Sequence, residues 1–287
     1  MVNPPQPAAV ARYSPWIVGW FKWYVRGYLR KHFHSVAVCK ETVPRIDADA
    51  RLVVYLNHAS WWDPLVAIFL AERFFAERKV IAPFEAEAIK RYPMFERMGF
   101  FGVDRSSRRG AVEFLRTAVA ALDEPGTSLW MTPEGRFCDP RDNRVPFEPG
   151  LAHLATKLAA GVAEGDRPAT LLPLAIEYPF WEESLPEVLI RFGEPVRVRD
   201  FVNYDKIVNY GKESSRNKGA WGTLLEERLR TAQVELAELS LARRVDAFEV
   251  IHGGKSGVGG LYEQVRRLRA RLTGKTYQAS HGEKLQT

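Results

Sequence analysis

The stretch NHASWWDP (57–64) sets a histidine and an aspartate five positions apart, where an apolar run meets a proline. A neutral imidazole can take the proton of a hydroxyl as that hydroxyl attacks a carbonyl, help worth about 100- to 10,000-fold. A carboxylate on the other ring nitrogen fixes the tautomer and steadies the imidazolium. His58 and Asp63 are therefore candidates for base and orienter. The chain contains no G-x-S-x-G elbow, so the attacking group would be the hydroxyl of an acceptor, and the acyl donor an activated one such as a thioester. The same residues have a purely structural reading. Asp-Pro opens helices, with Asp63 as N-cap and Pro64 in the first turn, and His58 would then be a half-buried histidine.

The elements around this stretch must position it. RLVVYL (51–56) is a continuous apolar run and predicts a buried strand; PLVAIFLAERFF (64–75) predicts the helix that follows. KVIAP (79–83), GFFGV (99–103), TSLWMT (127–132), TLLPLAIEY (170–178) and EVLIRFG (187–193) predict further strands. Residues 107–123 read as a helix with Ala111, Phe114, Leu115, Ala118, Val119 and Leu122 on one face and Ser106 or Ser107 as its cap. PGLAHLATKLAAGVA (149–163) reads as a helix with Pro149 in its first turn. A polar loop is expected over 201–218, then a long helix near 219–245 and a last one in LYEQVRRLRARLTGK (261–275). Alternating strands and helices predict an α/β fold: one domain with a mixed, largely parallel central sheet flanked by helices.

Residues 1–13 read as a loose tail. SPWIVGWFKWYVRGYLRKHF (14–33) then places Trp16, Ile17, Trp20, Phe21, Tyr24 and Tyr28 on one helical face and Lys22, Arg26 and Arg30 on the other. Such a helix suits a membrane interface, rings inward and cations near lipid phosphates; it equally suits packing on the domain with a basic stripe outside. The organisation expected is therefore a tail and amphipathic helix over 1–40, an α/β core over 41–200 and a C-terminal helical extension over 201–287.

The 287 residues carry a formal charge of +6, which favours anionic partners without choosing among them. Cys39 and Cys138 are the only cysteines and no C-x-x-C occurs, so zinc lacks ligands. No metal site is expected, and a reducing compartment is the simpler reading. No apolar run reaches the roughly 18 residues of a membrane span, and the first residues do not read as a signal peptide.

Four motifs in order resemble those of the glycerolipid acyltransferase family, which includes the 1-acylglycerol-3-phosphate acyltransferases. NHASWWD (57–63) matches N-H-x4-D. GFFGVDR (99–105) is similar to the second motif, TPEGRF (132–137) to the third, and LLPLAIEY (171–178) to the fourth; FEPGLAHLA (147–155) resembles the helix opening after the third. The resemblance spans about residues 50–195. It implies His58 as general base, Asp63 as its partner, and a substrate-binding set of Asn57, Arg105, Glu134, Gly135, Arg136 and Pro173. Arg105 would meet the acceptor phosphate and Pro173 would shape the acyl-donor region. An arginine fork suits a phosphate, and a glycine admits close backbone approach. The third motif reads E-G-R-F rather than E-G-T-R, so Arg136 sits one place early, with Arg141 and Arg144 as substitutes; Gly102 stands where a bulky residue is common. These departures leave the acceptor open between a lysophosphatidic acid, a glycolipid, an aminolipid and another hydroxylated lipid.

The implied activity is O-acyl transfer from acyl-CoA or acyl carrier protein, as co-substrate and with no cofactor, to a hydroxyl of a lipid acceptor. The protein would sit peripherally on the cytoplasmic face of a membrane. The alternatives are an acyl-thioester hydrolase and a non-catalytic membrane-binding relative. Backbone N–H groups near His58 or in the Pro133–Gly135 turn would serve the oxyanion. HGGKSGVGG (252–260) is no P-loop, because Glu249 stands where its first glycine is required; a turn between helices is expected there. No nucleic-acid motif accompanies the arginine-rich end, and no nucleic-acid partner is expected. Trp61 and Trp62 would wall the acyl- or membrane-facing side, or pack in the core.

Overall fold

The computed structural model describes residues 12–201 and 218–254. In chain order the elements are α1 (Pro15–His32), β1 (Ser35–Cys39), β2 (Arg51–Leu56), α2 (Asp63–Phe74), β3 (Lys79–Glu85), α3 (Ala86–Arg91), α4 (Met94–Arg97), β4 (Phe100–Val103), α5 (Arg108–Asp123), β5 (Thr127–Met131), α6 (Gly150–Ala163), β6 (Ala169–Glu177), β7 (Glu187–Phe192), β8 (Val196–Arg197), α7 (Lys218–Leu241) and β9 (Phe248–Gly253). The strands join in one nine-stranded sheet, ordered β4-β3-β5-β2-β6-β7-β1-β9, with β8 paired to β6. Strands β4, β3, β5, β2 and β6 all run the same way. β7 and β8 run against β6, and β9 against β1. The fold is thus α/β with a mixed, mostly parallel sheet.

A parallel strand covered on both faces needs apolar residues at every position, and β2 shows why RLVVYL reads as a continuous run. Leu52, Val54 and Leu56 face Val25, Leu29, Val66 and Leu70 of α1 and α2. Val53 and Tyr55 face the opposite layer, built by Phe114, Leu154 and Trp221 of α5, α6 and α7. Trp221 is fully buried; truncating it to alanine costs about 3–5 kcal/mol.

Helix α5 begins where its serine permits: the Ser107 hydroxyl accepts from Gly110 N at 3.0 Å. Helix α7 ends at Leu241, before the expected 245. The C-terminal segment also supplies more than a helical extension. α7 buries Leu225, Leu229, Ala232 and Leu236 against the sheet, and β9 pairs with β1 and forms one edge of the sheet. The turn expected to separate helices at 252–260 therefore begins as strand, since His252 and Gly253 end β9. Residues 1–11 of the tail, 202–217 of the polar loop and the arginine-bearing last helix lie outside the described residues.

Helix α1 divides its apolar side in two. Val25 and Leu29 are buried, Phe21 packs beside them, and Trp16, Trp20, Trp23 and Tyr24 stay exposed, as do Arg30 and Lys31 in the last turn. Among the described residues no helix is long and apolar enough to cross a membrane.

Candidate active site

Co-directional strands bring their C-terminal ends to one edge, the place where open α/β sheets take ligands. His58 follows β2, Arg105 follows β4, the Thr132–Gly135 turn follows β5, and Tyr178 follows β6. Strand order therefore gathers motifs that are far apart in sequence.

His58 Nδ1 lies 2.7 Å from Asp63 Oδ2. Asp63 opens α2 but does not cap it: the N-cap position falls at Trp62, and no side chain bonds a first-turn amide. Its carboxylate turns back instead, accepting from Ser60 N at 3.0 Å and from the Tyr178 hydroxyl at 2.7 Å. These donors compensate a carboxylate that is only 1% exposed. With Nδ1 on Asp63, the lone pair of neutral His58 resides on Nε2. Its side chain is 19% exposed, and the Phe137 ring lies 4.3 Å from the imidazole.

The loop after β5 closes over the histidine. Glu134 Oε2 accepts from His58 N at 2.7 Å, and Cys138 N donates to His58 O at 2.8 Å. The second oxygen of Glu134 accepts from Arg230 of α7 at 2.8 Å. Arg230 also donates to Gln233 Oε1 and Val145 O, and lies over the Phe147 ring. Glu134, which the family resemblance implies as a substrate contact, is buried here with one oxygen on His58 N and the other on Arg230.

Asn57, implied as another substrate contact, is engaged by the neighbouring strand. Its amide donates to Ile176 O at 3.0 Å and accepts from Ile176 N at 2.8 Å. The side chain thus extends the β2–β6 ladder one step past Leu56, holding the next residue, His58, at the strand end. Pro173 sits in the middle of β6 rather than at its end. Its carbonyl accepts from Gly193 N at 2.9 Å, and proline cannot return that bond, so the β6–β7 ladder ends here, before the β8 pairing begins at Leu171. Its ring packs against Gly193, away from His58.

Arg105 and Gly135 do meet. The guanidinium donates to Gly135 O and lies 3.2 Å from Glu148. Gly135 has φ +64, and a Cβ there would lie 2.5 Å from Arg105 Nη2. Arg136 is exposed. Neither proposed substitute is free. Arg141 binds Glu177 through two bonds, at 3.1 and 3.0 Å, and Arg144 pairs with Asp142. The amides of His58, Ser60 and Gly135 donate to Glu134, Asp63 and Thr132, which removes them as oxyanion donors.

Cys138, whose N–H donates to His58 O, is no activated nucleophile: burial, then the Glu134 charge, raises its thiol. Among the described residues no group of His, Cys, Asp and Glu could hold a metal ion. Trp61 is exposed with its ring edge-on to Tyr28, whereas Trp62 packs between Phe33 and Tyr178. Sequence reasoning missed Tyr178, Arg230 and Phe137. Tyr178 and Phe137 do close the LLPLAIEY and TPEGRF stretches, but Arg230 has no local signal at all.

The carboxyl edge of the α/β sheet thus carries a histidine–aspartate pair, with a glycine turn under an arginine in the neighbouring loops. A family model described as Acyltransferase matches residues 36–177, and the chain belongs to the acyltransferase family. Among solved structures it is similar to the 1-acyl-sn-glycerophosphate (LPA) acyltransferase, PlsC, from Thermotoga maritima. The identity is 20% and the TM-score 0.44, covering 77% of this chain and 78% of that one. A search of curated proteins finds no match.

Proposed function

We propose that this acyltransferase moves a fatty acyl group from a thioester, acyl-CoA or acyl carrier protein, to a hydroxyl of a lysophospholipid-like or other lipid acceptor. One observation carries the reading: Asp63 holds His58 Nδ1 and leaves Nε2 as the basic atom of a half-open histidine. The acceptor O–H gives its proton to Nε2 as its oxygen bonds the thioester carbonyl carbon. The C–S bond then breaks, and the leaving thiolate takes that proton back from the imidazolium. No acyl-enzyme is required, and no cofactor beyond the co-substrate enters.

Arg105 is the reading's phosphate contact: its exposed guanidinium can exchange Glu148 for an anionic headgroup, with Arg136 as a second cation nearby. A lipid surface is the proposed partner. Trp16 and Trp23 are 82% and 66% exposed, and this aromatic sector reaches Trp61, three residues past His58, through Tyr28. Rings beside Arg30 and Lys31 suit an interfacial seat. We place that seat on the cytoplasmic side, where the free thiols Cys39 and Cys138 fit.

The test is acyl transfer from labelled acyl-CoA with and without mixed lysolipids, in wild type and His58→Ala. A His58-dependent acylated lipid supports the reading, and its mass names the acceptor. Label released only as free fatty acid would replace transfer with hydrolysis.

A further inference from the structure

Three successive residues at the end of β6 are each bound to a different part of the site. Ile176 exchanges both main-chain groups with the Asn57 amide, Glu177 receives the Arg141 guanidinium in two bonds, and the Tyr178 hydroxyl reaches Asp63 Oδ1 at 2.7 Å. The strand end thereby aligns the residue before the base, the loop after β5 and the orienting carboxylate. We propose that Tyr178 is a positioning residue: its hydroxyl fixes the rotation of Asp63 so that Oδ2 faces His58 Nδ1, and it draws off part of the carboxylate charge that the imidazolium would feel. The inference rests on His58 acting as base.

The surroundings restrict Tyr178 to this task. Its ring is caged by Trp62 at 5.3 Å and by Phe33 at 5.8 Å, which joins α1 to β1. Burial, then the Asp63 charge, pushes the phenol well above its usual range, so the hydroxyl remains a donor at any working pH. The carboxylate has one oxygen toward Tyr178 and the other toward Ser60 N and His58. Without the phenol, Oδ1 would lose its one side-chain donor, and Ser60 and His58 alone would set the rotation of the group. Among the described residues, the titratable residues bonded to His58 are Asp63, from α2, at its ring, and Glu134 and Cys138, from the loop after β5, at its main-chain N–H and C=O. Tyr178 touches only the first of them, so its effect on His58 must pass through Asp63.

The test is the pH dependence of kcat and kcat/KM in full-length Tyr178→Phe, measured below its melting transition. The acid limb of kcat/KM reports the base of the free enzyme. Loss of a hydrogen bond to a buried carboxylate predicts kcat lower by about tenfold with both KM values within about twofold. Less dispersed charge on Asp63 stabilises the imidazolium, so the acid limb moves to higher pH. Incorporating 3-fluorotyrosine at position 178 keeps the ring and strengthens the donor, and it moves the limb the other way. That variant tests the proposal if Tyr178→Phe does not fold. An unmoved limb in both, or a change confined to KM, overturns it, because a merely structural tyrosine leaves the titration of His58 alone. Failure of the underlying reading shows separately: there, His58→Ala retains activity or the wild type has no acid limb.

Discussion

The Arg230 guanidinium meets Glu134 at 2.8 Å across 96 residues of chain, with side-chain exposures of 11% and 1%. Breaking one side of a buried ion pair leaves the other charge uncompensated. Arg230→Met should therefore cost about 3–5 kcal/mol in urea denaturation. Glu134→Gln combined with Arg230→Met should recover much of that loss, because the stranded carboxylate is gone. Equal stability of the single and double variants would argue against the pair.

Asp63→Asn should lower kcat by at least about 100-fold with little change in either KM, since the amide no longer orients and charges the imidazole. Initial rates with acyl-CoA and the acceptor found for wild type measure it.

Arg105 and Glu148 should move acceptor binding in opposite directions. Arg105→Ala removes the headgroup cation and should raise the KM of an anionic acceptor. Glu148→Gln removes the competing carboxylate 3.2 Å away and should lower it. Acceptor titration at saturating acyl donor distinguishes them, and both shifts should shrink at high salt.

Replacing Trp16, Trp20 and Trp23 together by serine should reduce binding to vesicles containing anionic lipid while preserving the melting transition, because the buried face of α1 is Val25 and Leu29. Co-sedimentation with vesicles gives the answer.

Gly135→Ala should impair acceptor turnover and stability together. Its φ of +64 costs an alanine about 1–2 kcal/mol, and the added methyl meets the Arg105 guanidinium. Denaturation and acceptor KM, read on one preparation, check both effects.

Local pattern revealed the elements that are locally encoded. The apolar run 51–56 followed by Asp63-Pro64 marks β2, the turn and α2, and the family motifs locate His58, Asp63, Arg105 and Gly135. β1, β8 and β9 escaped notice: β1 follows α1 with only Phe33 and His34 between and no turn residue at the boundary, β8 has 2 residues, and β9 is an edge strand whose exposure does not alternate cleanly. Residue type also did not say where lone pairs go. The polar atoms of Asn57 and Glu134 bind Ile176, His58 and Arg230, partners that no local pattern announces. Tyr178 reaches Asp63, and Arg230 reaches Glu134, across 115 and 96 residues, and contacts of that span leave no periodicity to read.

The bond from His58 N to Glu134 gives this protein an internal reporter. An amide held by a buried carboxylate exchanges its hydrogen with solvent only when that carboxylate lets go, and here the carboxylate is clamped by α7. The exchange rate of one backbone proton at position 58 thus counts how often α7 releases the loop over His58. Deuterium uptake at His58 would follow the assembly of the site without any substrate being turned over.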